Sequence, residues 1–232
     1  MKKDFIWILW GIWPEASQYL YKNILHYCQK KYGAVQDNDY PHIIINNIWL
    51  EGFDETWIVN ELKVKKGLLD WILQLDKTWV NQIYIACNTV HTYYDFLQNN
   101  SKWKIINLIE ETCKVIKNEG HKKVLILSSN TTNKIWLYDK YLKKIGISYL
   151  KVNQDEQKNL DQIIEDVMWW TVREKDFLYI EDISKKYKKL WATGVIIWCT
   201  ELPLATRPEN NSLEVFDTIE ILTRMISESA KK

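Results

Sequence analysis

The chain carries four cysteines, at positions 28, 87, 113 and 199, and two of them stand in matching contexts. Ile83-Tyr84-Ile85-Ala86-Cys87-Asn88-Thr89 is an apolar run that stops at a cysteine followed by small polar residues. Val195-Ile196-Ile197-Trp198-Cys199-Thr200-Glu201 repeats that pattern about half a chain later. A short β-rich run that ends in polar residues ahead of a helical pattern reads as a buried parallel strand feeding a helix. The carboxyl end of such a strand is where open α/β sheets bind ligands. A thiol held there, beside a helix N-terminus, gains thiolate character from the positive end of the helix dipole. Two such thiols facing one pocket can work as a base and acid pair. Cys28 and Cys113 read differently. Cys28 falls on the helical face of Ala16, Tyr19, Leu20, Ile24 and Tyr27, and Cys113 lies beside Ile109 and Ile116, so both are expected as packed core thiols.

Composition narrows the class of protein. At 232 residues the chain can bury the core of one large or two small α/β domains. With 31 basic against 30 acidic side chains it has no electrostatic footprint for nucleic acid or an anionic membrane. The cysteines form no CxxC and no zinc-finger Cys/His spacing, so reduced thiols in a cytoplasmic protein are expected, with no metal. Met1-Lys2-Lys3 imitates a signal peptide, but Asp4 interrupts the run and Pro14-Glu15 follows with no cleavage site. No stretch approaches the ~20 apolar residues of a membrane span.

The elements that must position the two thiols follow from periodicity. Strands are expected at Asp4 to Leu9, Ile43 to Ile45, the run ending at Cys87, Val124 to Leu127, Ser148 to Val152 and the run ending at Cys199. Helices are expected from Pro14, through an amphipathic stretch ending near Lys77, over His91 to Leu97, Leu108 to Glu119 (closed by Gly120), Asp155 to Met168, a lysine-rich stretch reaching Leu190, and Thr218 to Ser229. Ser128-Ser129-Asn130-Thr131-Thr132 reads as a hydroxyl-rich loop able to present donors to an anion. The cluster Asn99-Asn100-Ser101 marks a crossover, which divides the chain into residues 1–100 with 209–232, carrying Cys87, and residues 101–208, carrying Cys199.

Thirteen tryptophans stand beside seven glycines, where average usage of about 7% would give roughly sixteen glycines. Several tryptophans occupy places where glycine is the physical expectation. Trp10 and Trp13 flank Gly11 in the turn after the first strand, Trp191 and Trp169-Trp170 follow helix ends, and Trp198 precedes the second cysteine. A tryptophan-rich core is the plain alternative, but core aromatics do not concentrate at turns and caps. These positions read as glycines written as tryptophan, as when a triplet is translated differently from the way its source reads it.

The set ACNT at Ala86 to Thr89 and CTELP at Cys199 to Pro203, with Gly11, Pro14, Glu15 and Ala16 at the first turn and Phe216-Asp217-Thr218 near the end, resembles the aspartate/glutamate racemase family along essentially the whole chain. Trp7, Trp10, Trp13, Trp79, Trp136, Trp170, Trp191 and Trp198 fall where that family has glycines. The resemblance implies two flavodoxin-like three-layer α/β/α lobes related by a pseudo-two-fold, with the site in the cleft between them. It also implies a homodimer and a cofactor-independent amino-acid racemase. Carried over by position, Cys87 and Cys199 are the catalytic thiols. Asn88, Thr89, Ser129, Asn130, Thr132, Thr200, Glu201, Gly11 and Trp13 are the expected substrate-binding residues. Glu201 is read three ways: as a partner of the substrate amino group, as a group orienting a neighbour, or as a helix cap. His91 tunes Cys87 or simply packs.

Acidic-substrate members carry an arginine in the loop equivalent to Asp54-Glu55-Thr56 and a lysine near Met168. Here Glu55 and Met168 stand in those places, which opens the way to neutral or basic amino acids, with Arg207 or Lys175 as replacement cations. Maleate isomerase or arylmalonate decarboxylase chemistry on the same fold, or a non-catalytic binding protein, are the competing expectations.

Overall fold

A computed structural model describes residues 6–10, 14–53, 58–75, 80 and 82–229, without the side chains of Trp10, Pro14, Glu15, Ala16 and Thr131. Asp4, Gly11, Trp13, Glu55 and Trp79, all named above, lie outside the described residues. The chain forms two compact units, residues 1–108 with 219–232, and residues 109–218. In chain order the first half contains β1 (Ile6–Trp10), α1 (Pro14–Tyr32), β2 (Ile43–Asn47), α2 (Glu61–Leu75), β3 (Gln82–Ile85), α3 (Tyr94–Asn100) and β4 (Lys104–Ile105). There follow α4 (Leu108–Asn118), β5 (Lys123–Leu127), α5 (Asn130–Ile135), α6 (Leu137–Lys144), β6 (Ser148–Lys151), α7 (Gln154–Met168), α8 (Glu174–Lys188), β7 (Gly194–Ile197), β8 (Glu214–Asp217) and α9 (Thr218–Ser229).

Each unit is built on a four-stranded sheet, of order β2-β1-β3-β4 in the first and β6-β5-β7-β8 in the second. All the pairings are parallel. The two orders are the same, which makes the halves copies in topology as well as in motif. Parallel strands are buried on both faces, and β1 is: Ile6, Trp7, Ile8 and Leu9 are all buried. On one face Trp7, Leu9, Ile83 and Ile85 pack with Val64, Leu68, Trp71 and Ile72 of α2. Toward the other, Tyr84 Oη donates to Ser229 Oγ of α9 at 3.1 Å, and Glu228 joins α9 to Tyr27 and Lys31 of α1.

Two strands went unread in the sequence. β4 is two residues long, and β8 is an edge strand beginning with Glu214 and ending with Asp217, so neither has the apolar run that marks a central strand. Because β8 pairs with β7, the chain leaves the second unit after Thr218 and not at residue 209. Likewise β4 pairs with β3, which keeps residues 104–105 in the first sheet.

In each sheet the two central strands are neighbours whose onward connections lead to opposite edges: β1 to β2 and β3 to β4, then β5 to β6 and β7 to β8. The carboxyl ends of such a strand pair form the crevice that open α/β sheets use for ligands. Cys87 follows β3 and Cys199 follows β7.

Helix ends supply the test of the tryptophan reading. α4 and α6 end at Gly120 (φ 84°) and Gly146 (φ 76°). Gly120 N–H donates to Lys117 O and His121 N–H to Ile116 O, and Gly146 and Ile147 repeat the pair with Lys143 and Leu142. This two-bond closure of a helix needs a left-handed residue. α7 and α8 close with the same bonds, Trp170 to Val167 with Thr171 to Asp166, and Trp191 to Lys188 with Ala192 to Tyr187. Among the described residues the non-glycines with positive φ are Trp136 (56°), Trp170 (56°) and Trp191 (68°).

Candidate active site

Cys87 follows the end of β3 where that strand lies against β1: Ala86 N–H donates to Leu9 O at 3.2 Å. Its side chain is half-buried. Asn88 is buried and Thr89 half-buried, and a 3-10 turn runs from Thr89 to Tyr93 ahead of α3. His91 is fixed by two backbone groups. Leu108 N–H donates to His91 Nε2 at 3.1 Å, and because a backbone N–H can only donate, Nε2 is unprotonated. Nδ1 therefore carries the hydrogen and donates to Cys87 O at 2.8 Å. Burial drives the His91 pKa below its ordinary value, against the opposing pull of its backbone acceptors. His91 thus acts on the backbone of Cys87 and ties it to the start of α4.

Cys199 leaves the second sheet in the same manner, after Trp198 N–H donates to Leu127 O of β5 at 2.9 Å. Trp198 is fully buried, edge-to-face on Tyr138 with ring centroids 4.4 Å apart. The half-buried thiol donates to Glu201 Oε2 at 2.6 Å. Thr200 Oγ1 donates to the same oxygen at 3.2 Å. Glu201 is buried and precedes a 3-10 turn, Leu202–Ala205, that its side chain does not cap. Glu201 thus accepts from both Cys199 and Thr200 through one oxygen.

Some expectations need correction. The elements beside the two thiols are 3-10 turns of five and four residues, not α-helices. A turn that short has little of the aligned dipole that an α-helix would direct at a thiolate. Ser129, Asn130 and Thr132 stand at the start of the short helix α5 and not in a loop. Ser129 is the N-cap of α5 and accepts from Thr132 N–H at 3.3 Å, with the two hydroxyls 2.8 Å apart. Asn130 N–H donates to Asp161 Oδ1 at 3.0 Å. The N–H groups of Asn130 and Thr132 are thus bonded within the protein. Gln157 completes the arrangement, donating to Ser128 O at 2.8 Å and to Asp161 at 2.9 Å. Gln157 and Asp161 were missed in the sequence. Their i,i+4 spacing on α7 is the signal, but nothing local says which loop they meet.

Cys28 and Cys113 are buried core thiols, as read from the sequence, and burial pushes Cys113 up to about 12. Arg207 is engaged by a two-pronged pair with Glu174, at 2.7 and 2.5 Å, and its guanidinium lies 4.2 Å from the centroid of the Phe177 ring. Lys175 is exposed on α8, and Met168 is the last residue of α7. No helix among the described residues is long and apolar enough to cross a membrane.

Two parallel α/β units of like strand order, each with a half-buried cysteine at the switch point of its central strands, define a protein of the two-lobed racemase type. Residues 9–226 match the sequence profile of the Asp/Glu/Hydantoin racemase family, and the chain belongs to that family. It is similar to the broad specificity amino-acid racemase RacX of Bacillus subtilis, with 34% identity over 141 residues. That aligned stretch spans 61% of this chain and 61% of the relative. An aspartate racemase homologue from Pyrococcus horikoshii superposes with a TM-score of 0.85 at 29% identity, covering 99% of this chain and 100% of that one. The aspartate racemase of Picrophilus torridus shares the fold, with a TM-score of 0.76 at 23% identity over 99% and 95% of the two chains.

Proposed function

We propose that the protein is a cofactor-independent amino-acid racemase in which Cys87 and Cys199 act on opposite faces of one substrate Cα. The observation that carries this reading is the duplication of one arrangement: a half-buried thiol directly after a central strand, in each of two sheets with the same strand order. One thiolate removes the Cα proton and re-forms S–H, while the other thiol gives its proton to the opposite face and becomes thiolate. The same pair then serves the reverse direction. The Cα–H of an amino acid is a very weak acid, so donors must meet the enediolate-like charge that develops on the substrate carboxylate. Asn88, Thr89 and Thr200, each within two residues of a thiol, are the groups assigned to it.

The substrate range is read as broad, in keeping with the name of the Bacillus relative, with neutral side chains handled better than acidic ones. Support for this comes from Met168 at the end of α7 and from the pairing of Arg207 with Glu174. A homodimer in the cytoplasm is part of the same proposal.

The test is exchange of the Cα hydrogen in deuterated water, followed by proton NMR over acidic, neutral and basic amino acids of both hands without added cofactor. Exchange with inversion is the expected result in wild type, with inversion lost in Cys87→Ala and in Cys199→Ala. A folded protein that exchanges none of them would overturn the racemase reading and favour the isomerase, decarboxylase or binding alternatives.

A further inference from the structure

We propose that Glu201 holds the proton that Cys199 must lose before it can act as a base; this rests on the two-thiol reading above. Cys199 Sγ and Thr200 Oγ1 both donate to Glu201 Oε2, at 2.6 and 3.2 Å, and Glu201 is 6% exposed. A thiolate and a carboxylate so close repel each other strongly in a buried site. The two groups therefore share one proton between them. With the thiol donating, Cys199 is set to give a proton. For the opposite task the S–H bond breaks, its proton forms O–H on Oε2, and the pair keeps one negative charge. The thiolate then takes the Cα proton and re-forms S–H, while Cys87 delivers its own proton and is left as thiolate. Glu201 returns its proton to water and Cys87 regains one, which restores the starting state.

Hydrogen exchange measured separately on each enantiomer tests this, with Cys199→Ala identifying the enantiomer that presents its Cα–H to Cys199. Glu201→Gln preserves the side-chain shape but cannot take the proton. Its expected effect is a loss of about a hundredfold or more in exchange of that enantiomer, with KM unchanged, while the enantiomer deprotonated by Cys87 still exchanges. Glu201→Asp should restore part of the rate. Wild-type rates for both enantiomers in Glu201→Gln would overturn the proposal, as would an equal loss for both accompanied by a raised KM. An inactive wild type would instead sink the racemase reading itself.

The helix ends carry a second, independent inference: the structure assigns Trp136, Trp170 and Trp191 to glycine positions, and we infer that the polypeptide made in the source organism has glycine there. Trp170 and Trp191 close α7 and α8 with the hydrogen bonds that Gly120 and Gly146 make at α4 and α6. Their rings are 70% and 82% exposed, so little burial offsets the left-handed backbone. Buried indoles elsewhere fit poorly as well. Among the described residues, the Nε1 groups of Trp7, Trp71 and Trp103 are buried without a hydrogen-bond partner, whereas buried polar groups are nearly always bonded. The codons at the thirteen tryptophan positions and the mass of the corresponding peptides from the source organism decide the matter. One shared triplet other than the ordinary tryptophan codon, with peptides carrying glycine, is expected. The ordinary tryptophan codon at positions 136, 170 and 191, or indole-containing peptides covering them, would overturn the inference.

Discussion

Replacing Trp170 and Trp191 by glycine should stabilise the protein, although each change deletes the largest side chain available. A non-glycine residue in the left-handed region costs about 1–2 kcal/mol, and both residues sit there, at φ 56° and 68°. Glycine returns that strain but loses about 0.4–1 kcal/mol through the greater freedom of the unfolded chain. Burial adds almost nothing, because indoles that are 70% and 82% exposed are hidden no more than in a compact unfolded chain, which buries roughly 10–40% of such surface. Taking the middle of each range, the net gain is about 0.8 kcal/mol per site. The fifteen residues of α8 stand between the two sites, about 22 Å of helix, so the effects should add. For the double variant this gives about 1–2 kcal/mol, or a rise in Tm of about 2–8 °C at this chain length. Trp169 provides the control. It is equally exposed, at 79%, but has φ of −91°, so Trp169→Gly has no strain to relieve and should lower Tm. Thermal unfolding by circular dichroism reads all three variants. A fall in Tm for Trp170→Gly and Trp191→Gly, of the size seen for Trp169→Gly, would refute the argument.

The thiols should separate by reactivity: iodoacetamide followed by peptide mapping should label Cys87 and Cys199 in the folded protein, and Cys28 and Cys113 only after unfolding. Burial holds Cys113 near 12 and leaves it almost wholly protonated at neutral pH; labelling of Cys113 as fast as Cys199 would contradict this. Substrate should slow the labelling of Cys87 and Cys199. His91 is buried neutral with its pKa lowered, so below about 6.5 the unfolded chain binds a proton that the folded one refuses. Stability from this group is complete above that pH and is lost as pH falls toward the folded value, by up to about 1.4 kcal/mol per unit. Urea midpoints at pH 7.5 and 5.5 should differ more in wild type than in His91→Asn, and an identical difference in the two would count against the buried neutral imidazole.

The two units were legible because their central strands are apolar runs ending in a cysteine, and such runs are decided by local composition. The sequence alone determined the repeat, the two thiols, the core placement of Cys28 and Cys113, and the misfit of tryptophan at helix ends. Left-handed caps are set within a few residues, so that misfit is local to the sequence. Edge strands were not legible: β4 and β8 are short, and a partner strand from elsewhere in the chain defines them. The same holds for side chains whose roles depend on what folding brings near. Asp161 and Gln157 fill the donors and acceptors after β5 from a helix far along the chain, and His91 reaches Leu108 across a strand. Glu201 stands two residues from Cys199, yet only the tertiary structure chose the thiol as its partner, because the chain around both must turn off the sheet in one conformation before carboxylate and thiol meet. Sequence spacing fixes which groups lie on one element; hydrogen bonds between elements depend on packing, and they decided what those groups do.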